Sequence, residues 1–202
     1  MRIPMRTLVL TVLSLNILSG CAPILVGGAA TGASVAHDTR TVGTVVEDEA
    51  IEDKAIFGLA RDRTFYHKIH INVTSYNMMV LVTGEAPDEA SRQRVIDVVR
   101  GILKVRQVYN EVTIGPPSSM MSRSSDTLLT TKVKSNLLRI KNFDPTRVKV
   151  VTEKGVVYLM GLLHPKEASA VAALTRRVGG VQKVVKLFET PNQTAQSENV
   201  SR

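Results

Sequence analysis

The sequence predicts an α+β protein built from two tandem copies of one small domain, preceded by a signal peptide and a tether. The order helix, strand, strand, helix, strand occurs twice along the chain, first from about residue 47 and again from about residue 123. Glycine closes the strand pair in both copies, at Gly84 and Gly161, and a Val-x-x-Val motif begins the last strand in both. Aromatic residues make up only 4% of the chain, so we expect small aliphatic cores.

The first 20 residues have the organisation of a bacterial signal peptide. A basic start precedes an apolar run of about 11 residues, Leu8 to Leu18, which is too short to cross a bilayer. The run ends in Leu18-Ser19-Gly20-Cys21, the lipobox pattern, in which the cysteine thiol takes a diacylglycerol and the chain is cut before it. Cys21 is the only cysteine, so no intramolecular disulfide is expected. We expect lipidation at Cys21, and Ala22 resembles the second residue of lipoproteins sent to the outer membrane.

Amino-acid composition indicates where the segments after the signal peptide begin and end. Residues 27–44 are rich in Gly, Ala, Thr and Val without steady periodicity, which is typical of a tether, and two prolines mark a joint near residue 116. The polar C-terminus predicts a frayed tail. The predicted segments are a lipidated tether (21–46), a first domain (47–115), a linker (116–122), a second domain (123–190) and a disordered tail (191–202). Because Ser122–Pro191 contains every element of one copy, we expect that fragment to fold alone.

The first copy begins with an amphipathic helix over Glu49–Ala60, in which Ile51, Ala55 and Leu59 recur every four residues. Alternating polarity then predicts a strand over 69–74, a turn at 76–78 and a returning strand over 79–83. A second helix starts after Pro87, with apolar residues at helical spacing, and residues 105–112 form the last strand.

The second copy repeats these elements in the same order. Its first helix, Asp126–Leu138, carries Leu129, Val133 and Leu137 on one stripe. Strands are predicted over 148–152 and 156–160, joined by a turn at 153–155. A helix opened by Pro165 and stopped by Gly179-Gly180 leads to a last strand over 181–187.

The hairpin that ends in Tyr158-Leu159-Met160-Gly161, followed by a helix and by Gly180-Val181-x-x-Val184, resembles the BON domain. Two such domains behind a lipobox are similar to dual-BON outer-membrane lipoproteins. The resemblance implies that each domain is a three-stranded sheet packed by two helices on one face. It also implies an outer-membrane location facing the periplasm, binding of anionic phospholipid by the second domain, a presence at division sites and a role in outer-membrane integrity.

Charge is distributed very unevenly between the copies. Residues 47–114 hold nine Lys/Arg against eleven Asp/Glu, a net charge of −2, whereas residues 123–189 hold thirteen against five, a net charge of +8. A basic domain tethered to a membrane is attracted to an anionic lipid surface by about 1 kcal/mol per basic residue near that surface. Nucleic acid would also suit the charge, but the chain lacks an aromatic stacking platform and its anchor faces the periplasm.

Within the second copy, the first helix is the best candidate for the lipid-binding surface. If its core stripe faces inward, a neighbouring stripe carries Leu128, Lys132, Ser135 and Arg139. Leu128 would enter the headgroup boundary while the two cations meet phosphates. Alternatively, Leu128 is simply the edge of the core. The similar lipoproteins carry tryptophan at the position of Leu128, so we expect shallower insertion here.

No catalytic motif stands out, and we expect neither an enzyme activity nor a cofactor, metal ion or small-molecule substrate. His67-x-x-His70 lies partly on a strand and has no cysteine nearby to complete a metal site. No nucleophile elbow or phosphate-binding loop is present in the sequence. The alternative to lipid binding is a periplasmic protein–protein adaptor for envelope assembly, in which the acidic first domain meets the partner. Binding to anionic and zwitterionic vesicles would discriminate the two.

Overall fold

A computed structural model describes residues 40–191; the signal peptide, Cys21, most of the tether and the tail lie outside them. The predicted α+β class is confirmed, because two three-stranded sheets are each packed by helices. The strands are β1 (His70–Tyr76), β2 (Met79–Ala86) and β3 (Gln107–Ile114) in the first domain, and β4 (Val148–Glu153), β5 (Val156–Leu162) and β6 (Lys183–Glu189) in the second. The helices are α1 (Val42–Ala60), α2 (Arg63–Tyr66), α3 (Glu89–Arg100), α4 (Met120–Leu137) and α5 (Pro165–Thr175).

Both sheets have the same topology. The middle strand, β2 or β5, pairs antiparallel with the strand before it and parallel with the strand after it. A parallel partner cannot be reached through a tight hairpin, so α3 and α5 supply the two crossovers. None of the helices within residues 40–191 is both long and apolar enough to cross a bilayer.

Two helices begin earlier than the sequence pattern predicts. The start of α1 lies at Val42, inside the predicted tether, where the Thr41 hydroxyl caps the helix by accepting the N–H of Thr44 at 3.1 Å. The start of α4 lies inside the predicted linker, where Ser119 caps the N–H of Ser122. Side-chain caps satisfy backbone donors at a helix start, so they extend helices into segments that lack apolar periodicity. The short helix α2 was not predicted; it buries Phe65 in the first core.

The helix stripes predicted from spacing are the buried ones. Ile51, Ala55 and Leu59 of α1 lie in the core of the first domain, and Leu129, Val133 and Leu137 of α4 lie in the core of the second. Each core also takes every second residue of its middle strand, such as Val80 and Val82 in β2. Each domain therefore has an aliphatic core between one sheet face and its helices.

Gly84 and Gly161 close the two hairpins because no larger residue fits there. A Cβ at Gly84 would lie 2.0 Å from the carbonyl oxygen of His70 on the adjacent strand, and the φ of Gly84 is +115°. A Cβ at Gly161 would lie 2.7 Å from the carbonyl oxygen of Arg147. The repeated glycine is thus a consequence of close strand approach.

The second face of each sheet is buried against the other domain. A third apolar cluster draws residues from both sheets, each between 0% and 7% exposed: Tyr76, Met79, Leu81, Tyr158, Met160, Leu162 and Leu187. The middle strands are consequently buried on both faces. The expectation that Ser122–Pro191 folds alone stays a prediction, and this contact argues against it, because the isolated fragment would expose four large apolar side chains of this cluster.

Polar pairs surround the cluster and also join the domains. Salt bridges connect Lys149 to Glu52 at 2.7 Å, Lys154 to Glu85 at 2.7 Å and Arg106 to Glu189 at 2.8 Å. The amide of Asn72 donates to Glu153 at 3.3 Å, and that of Asn77 donates to Glu189 at 2.6 Å. These three ion pairs and two amide hydrogen bonds fix the position of one domain against the other.

Two carboxylates at this junction behave differently. Burial raises the pKa of Glu153, and the nearby charge of Glu85 raises it further. Burial also acts on Glu85, but hydrogen bonds from Lys154 and from the N–H of Ser118 outweigh it and hold the pKa of Glu85 below its usual value. The junction therefore holds one carboxylate with a raised pKa beside one with a lowered pKa.

Candidate functional site

Two aspartates place the first helix of each domain against its hairpin. The carboxylate of Asp48 accepts the N–H groups of Asn77 and Met78, both at 2.7 Å. The carboxylate of Asp126 accepts those of Lys154 and Gly155 at 2.8 and 2.9 Å. These shared contacts align the two copies, so that positions 42–59 of α1 correspond to the positions 78 residues later, 120–137, in α4.

A cleft of about 480 Å³ opens beside α4 in the second domain. It lies between the exposed flank of α4, the β4–β5 turn and the turn that precedes β6. Its walls are formed by Ser122, Ser125, Asp126, Leu128, Leu129, Lys132, Lys154, Gly155, Gly179, Gly180 and Gln182. Both oxygens of Asp126 already accept N–H groups of the hairpin, so that carboxylate is occupied although it lines the cleft.

The charge of Lys132 is uncompensated within the part of the chain that the structure describes. Lys154, the second cation of the cleft, is held by Glu85 at 2.7 Å and is less available. Leu128 extends beside Lys132 with 63% of its surface exposed. An exposed apolar residue next to an unpaired ammonium is the combination that suits an amphiphile with an anionic head.

The equivalent place in the first domain holds two ion pairs. There Glu47 forms ion pairs with Lys104 and, at 3.8 Å, with Lys54, the counterpart of Lys132. The second domain has Ser125 where the first has Glu47. It also has Gly180 where the first has Lys104; both of these residues have a positive φ in matching turns. Two residue differences therefore leave the lysine of the second domain without a carboxylate partner among the described residues and its cleft without a second lysine in the turn.

The predicted lipid-contacting residues do not all lie on one surface. Leu128 and Lys132 are brought together on the cleft. Ser135 lies on a different groove, and Arg139, which follows the end of α4, is exposed and lines neither. Helical spacing keeps the four residues on one narrow stripe, and this stripe is the ridge of α4 between the two grooves, so Leu128 and Lys132 border the cleft while Ser135 borders the other groove. Helix α4 ends at Leu137, before Arg139.

The second groove, of about 490 Å³, runs along the other flank of α4 to the first domain. Its walls are formed by Arg40, Tyr76, Thr131, Lys134, Ser135, Leu138, Pro145, Thr146, Val148 and Lys149. Sequence reasoning missed Lys134 and Leu138, although Leu138 is 71% exposed. The Leu137-Leu138 pair could have predicted the exposure of Leu138. Because Leu137 belongs to the core stripe, the residue next to it on the helix lies off that stripe.

Two other cations of the second domain are used structurally. Arg147 pairs with Glu167 at 2.7 Å and donates to the carbonyl oxygen of Leu162, while Lys149 pairs with Glu52 of the first domain. His70 contacts Glu85 through Nδ1 at 3.2 Å. Their pairing removes Arg147 and Lys149 as candidates for a cationic surface, whereas Lys132 is exposed and borders the cleft.

Comparison with known proteins gives consistent matches. The BON domain model matches residues 47–116 and again residues 125–192. The chain is 34% identical over 186 residues to the outer membrane lipoprotein DolP of Haemophilus influenzae, covering 92% of this chain and 96% of that protein. It is 37% identical over 151 residues to a 21 kDa hemolysin of Actinobacillus pleuropneumoniae, covering 75% of this chain and 78% of that one. It is 26% identical to the osmotically-inducible protein Y of Escherichia coli, covering 76% of this chain and 77% of that one.

Proposed function

The chain belongs to the BON-domain family, and from that premise we propose that it is an outer-membrane lipoprotein, facing the periplasm, whose second domain binds anionic phospholipid. The anchor is Cys21, which lies outside the described residues. From the resemblance alone, we extend the proposal to support of outer-membrane integrity at division sites. No reaction is proposed, since the matched relatives are BON-domain proteins.

The observation that carries the lipid proposal is the difference between the two copies at one position. In the first domain Glu47 forms ion pairs with Lys104 and, at 3.8 Å, with Lys54 of the first helix; in the second domain Ser125 stands in place of Glu47, and Lys132, the counterpart of Lys54, has no ion-pair partner among residues 40–191. The shared fold does not require this difference, because both domains form the same sheet and the same hairpin contacts. An unpaired lysine beside exposed Leu128 supports recognition of a phosphate with an adjacent apolar boundary.

Charge reversal tests the proposal. In the unacylated mature chain (Cys21→Ser), Lys132→Glu with Arg139→Glu turns two attractions into two repulsions, a change on the order of 4 kcal/mol at low salt. We expect binding to anionic vesicles to fall steeply, wild-type binding to weaken as salt rises, and zwitterionic vesicles to bind poorly. The fold should persist, because both side chains are exposed.

A matched control changes the same number of charges elsewhere in the domain. Lys166 and Arg176, at the two ends of α5, are exposed. Lys166→Glu with Arg176→Glu should retain most of the binding. Equal losses in both variants would mean that only net charge matters, and a larger loss in the control would move the surface to α5.

A further inference from the structure

The outward face of α1 in the first domain carries large apolar residues that no described element covers. Opposite its buried stripe, exposed fractions reach 62% for Val42, 60% for Val46 and 71% for Phe57, with Ile56 at 44%. These residues fall on one side of a 19-residue helix because they recur at helical spacing. The chain has only four phenylalanines, so an exposed one on this face is unusual.

Two unpaired carboxylates lie in the middle of this apolar face. Helix α1 contains five acidic residues, three of which have structural partners: Glu47 pairs with Lys104, Asp48 holds the hairpin, and Glu52 pairs with Lys149. The remaining two, Glu49 and Asp53, are exposed and have no partner within the described chain. Their charges are therefore free to meet a cation from outside.

The internal repeat shows that the fold does not demand this face. The positions that correspond to Asp53, Ile56 and Phe57 are Thr131, Lys134 and Ser135 in α4. Both helices nevertheless pack the same stripe into equivalent cores. An exposed aromatic beside acids thus serves something other than folding of the domain.

We propose that the face formed by Val42, Val46, Glu49, Asp53 and Phe57 is a docking surface for a partner protein. Charge complementarity fixes the chemistry of the occupant: an amphipathic helix that places Lys or Arg against the two carboxylates and apolar side chains against the valines and Phe57. The same carboxylates repel an anionic bilayer. The two domains then divide the work, the second meeting lipid and the first meeting protein.

A synthetic amphipathic helix of leucine and lysine is the probe, and a leucine–glutamate helix of the same pattern is its counterpart. Titrated into the isotope-labelled, unacylated mature chain, the lysine peptide should shift the amide signals of α1 around Val46 and Phe57. The glutamate peptide should not. Asp53→Thr with Phe57→Ser installs the residues that the second domain carries at these positions, and it should weaken binding about tenfold or more because exposed aromatic anchors dominate such interfaces.

The control is Asp97→Asn with Leu103→Ser, which removes the same charge and an exposed apolar residue from another surface of the first domain. It should bind the lysine peptide as the wild type does. Shifts that cluster on α4, or equal binding of both peptides, would overturn the proposal. Loss of anionic-vesicle binding in the Phe57→Ser variant would make the face a lipid contact instead. Concentration-dependent self-association that disappears in that variant would make the occupant a second copy.

Discussion

Removing the first domain should unfold the second, although the second contains every element of one copy. Four of its side chains lie in the cluster between the sheets: Tyr158, Met160, Leu162 and Leu187. Full burial of a large apolar side chain is worth about 1.5–3 kcal/mol, so the four together contribute about 6–12 kcal/mol. This is an upper bound, because strands within the fragment still cover part of each side chain.

Half of that contribution already approaches the whole stability of a domain this small, since single domains are stable by only about 5–15 kcal/mol. We therefore expect a fragment of residues 119–191, which begins at the Ser119 cap of α4, to give an amide spectrum with collapsed dispersion, whereas residues 40–191 together give a dispersed one. Met160→Thr with Leu187→Thr should partly restore order to the fragment by making the exposed sheet face polar. A dispersed fragment spectrum with the shifts of the two-domain protein and the same urea midpoint would refute the claim that the sheets depend on each other.

Three further predictions concern the hairpin, the junction and the anchor. Gly84→Ala should lower the free energy of unfolding by about 2–5 kcal/mol, because the new Cβ would meet the carbonyl oxygen of His70 and the φ of Gly84 is positive. Gly101→Ala is the control: with a φ of −73°, it should leave the free energy of unfolding measured by urea denaturation nearly unchanged. The pKa of Glu153 is raised in the folded state, so folded-state stability falls as pH rises from the unfolded pKa through the folded one. Glu153→Gln should therefore stabilise the protein at neutral pH and lose this advantage as pH falls below 4.5. A stability difference that stays constant in thermal melts at each pH would contradict this prediction. Cys21→Ser should move the protein from the outer-membrane fraction to the soluble periplasm, and full retention in the membrane would show that another element anchors it.

Local patterns predicted the repeat and the helix cores because each signal lies within a few residues. The spacing of Ile51, Ala55 and Leu59 identifies one face of a helix without knowledge of the rest of the chain. The order of elements follows in the same way. The early helix starts escaped prediction because a single capping hydroxyl, at Thr41 or Ser119, decides them without any apolar pattern.

Contacts between the domains escaped prediction because alternation within a strand does not say what covers each face. Tyr76 and Leu81 are buried by the other sheet, which is remote in sequence, and Lys149 forms an ion pair with Glu52 across the same junction. The predicted lipid-contacting residues border two different grooves for a similar reason. Leu128 and Lys132 were placed together by helical spacing, but the opening beside them depends on Ser125 and on the distant Gly180.

The most direct test gives Lys132 a carboxylate partner, like the one that Lys54 has in Glu47 of the first domain. Ser125→Glu places a carboxylate seven residues before Lys132, the spacing at which Glu47 pairs with Lys54 at 3.8 Å. Thr127→Glu adds the same charge to the flank of α4 away from the cleft. We expect Ser125→Glu to reduce binding of the unacylated chain to anionic vesicles far more than Thr127→Glu does, with both proteins folded. Equal binding of the two variants would contradict the assignment of lipid recognition to this cleft.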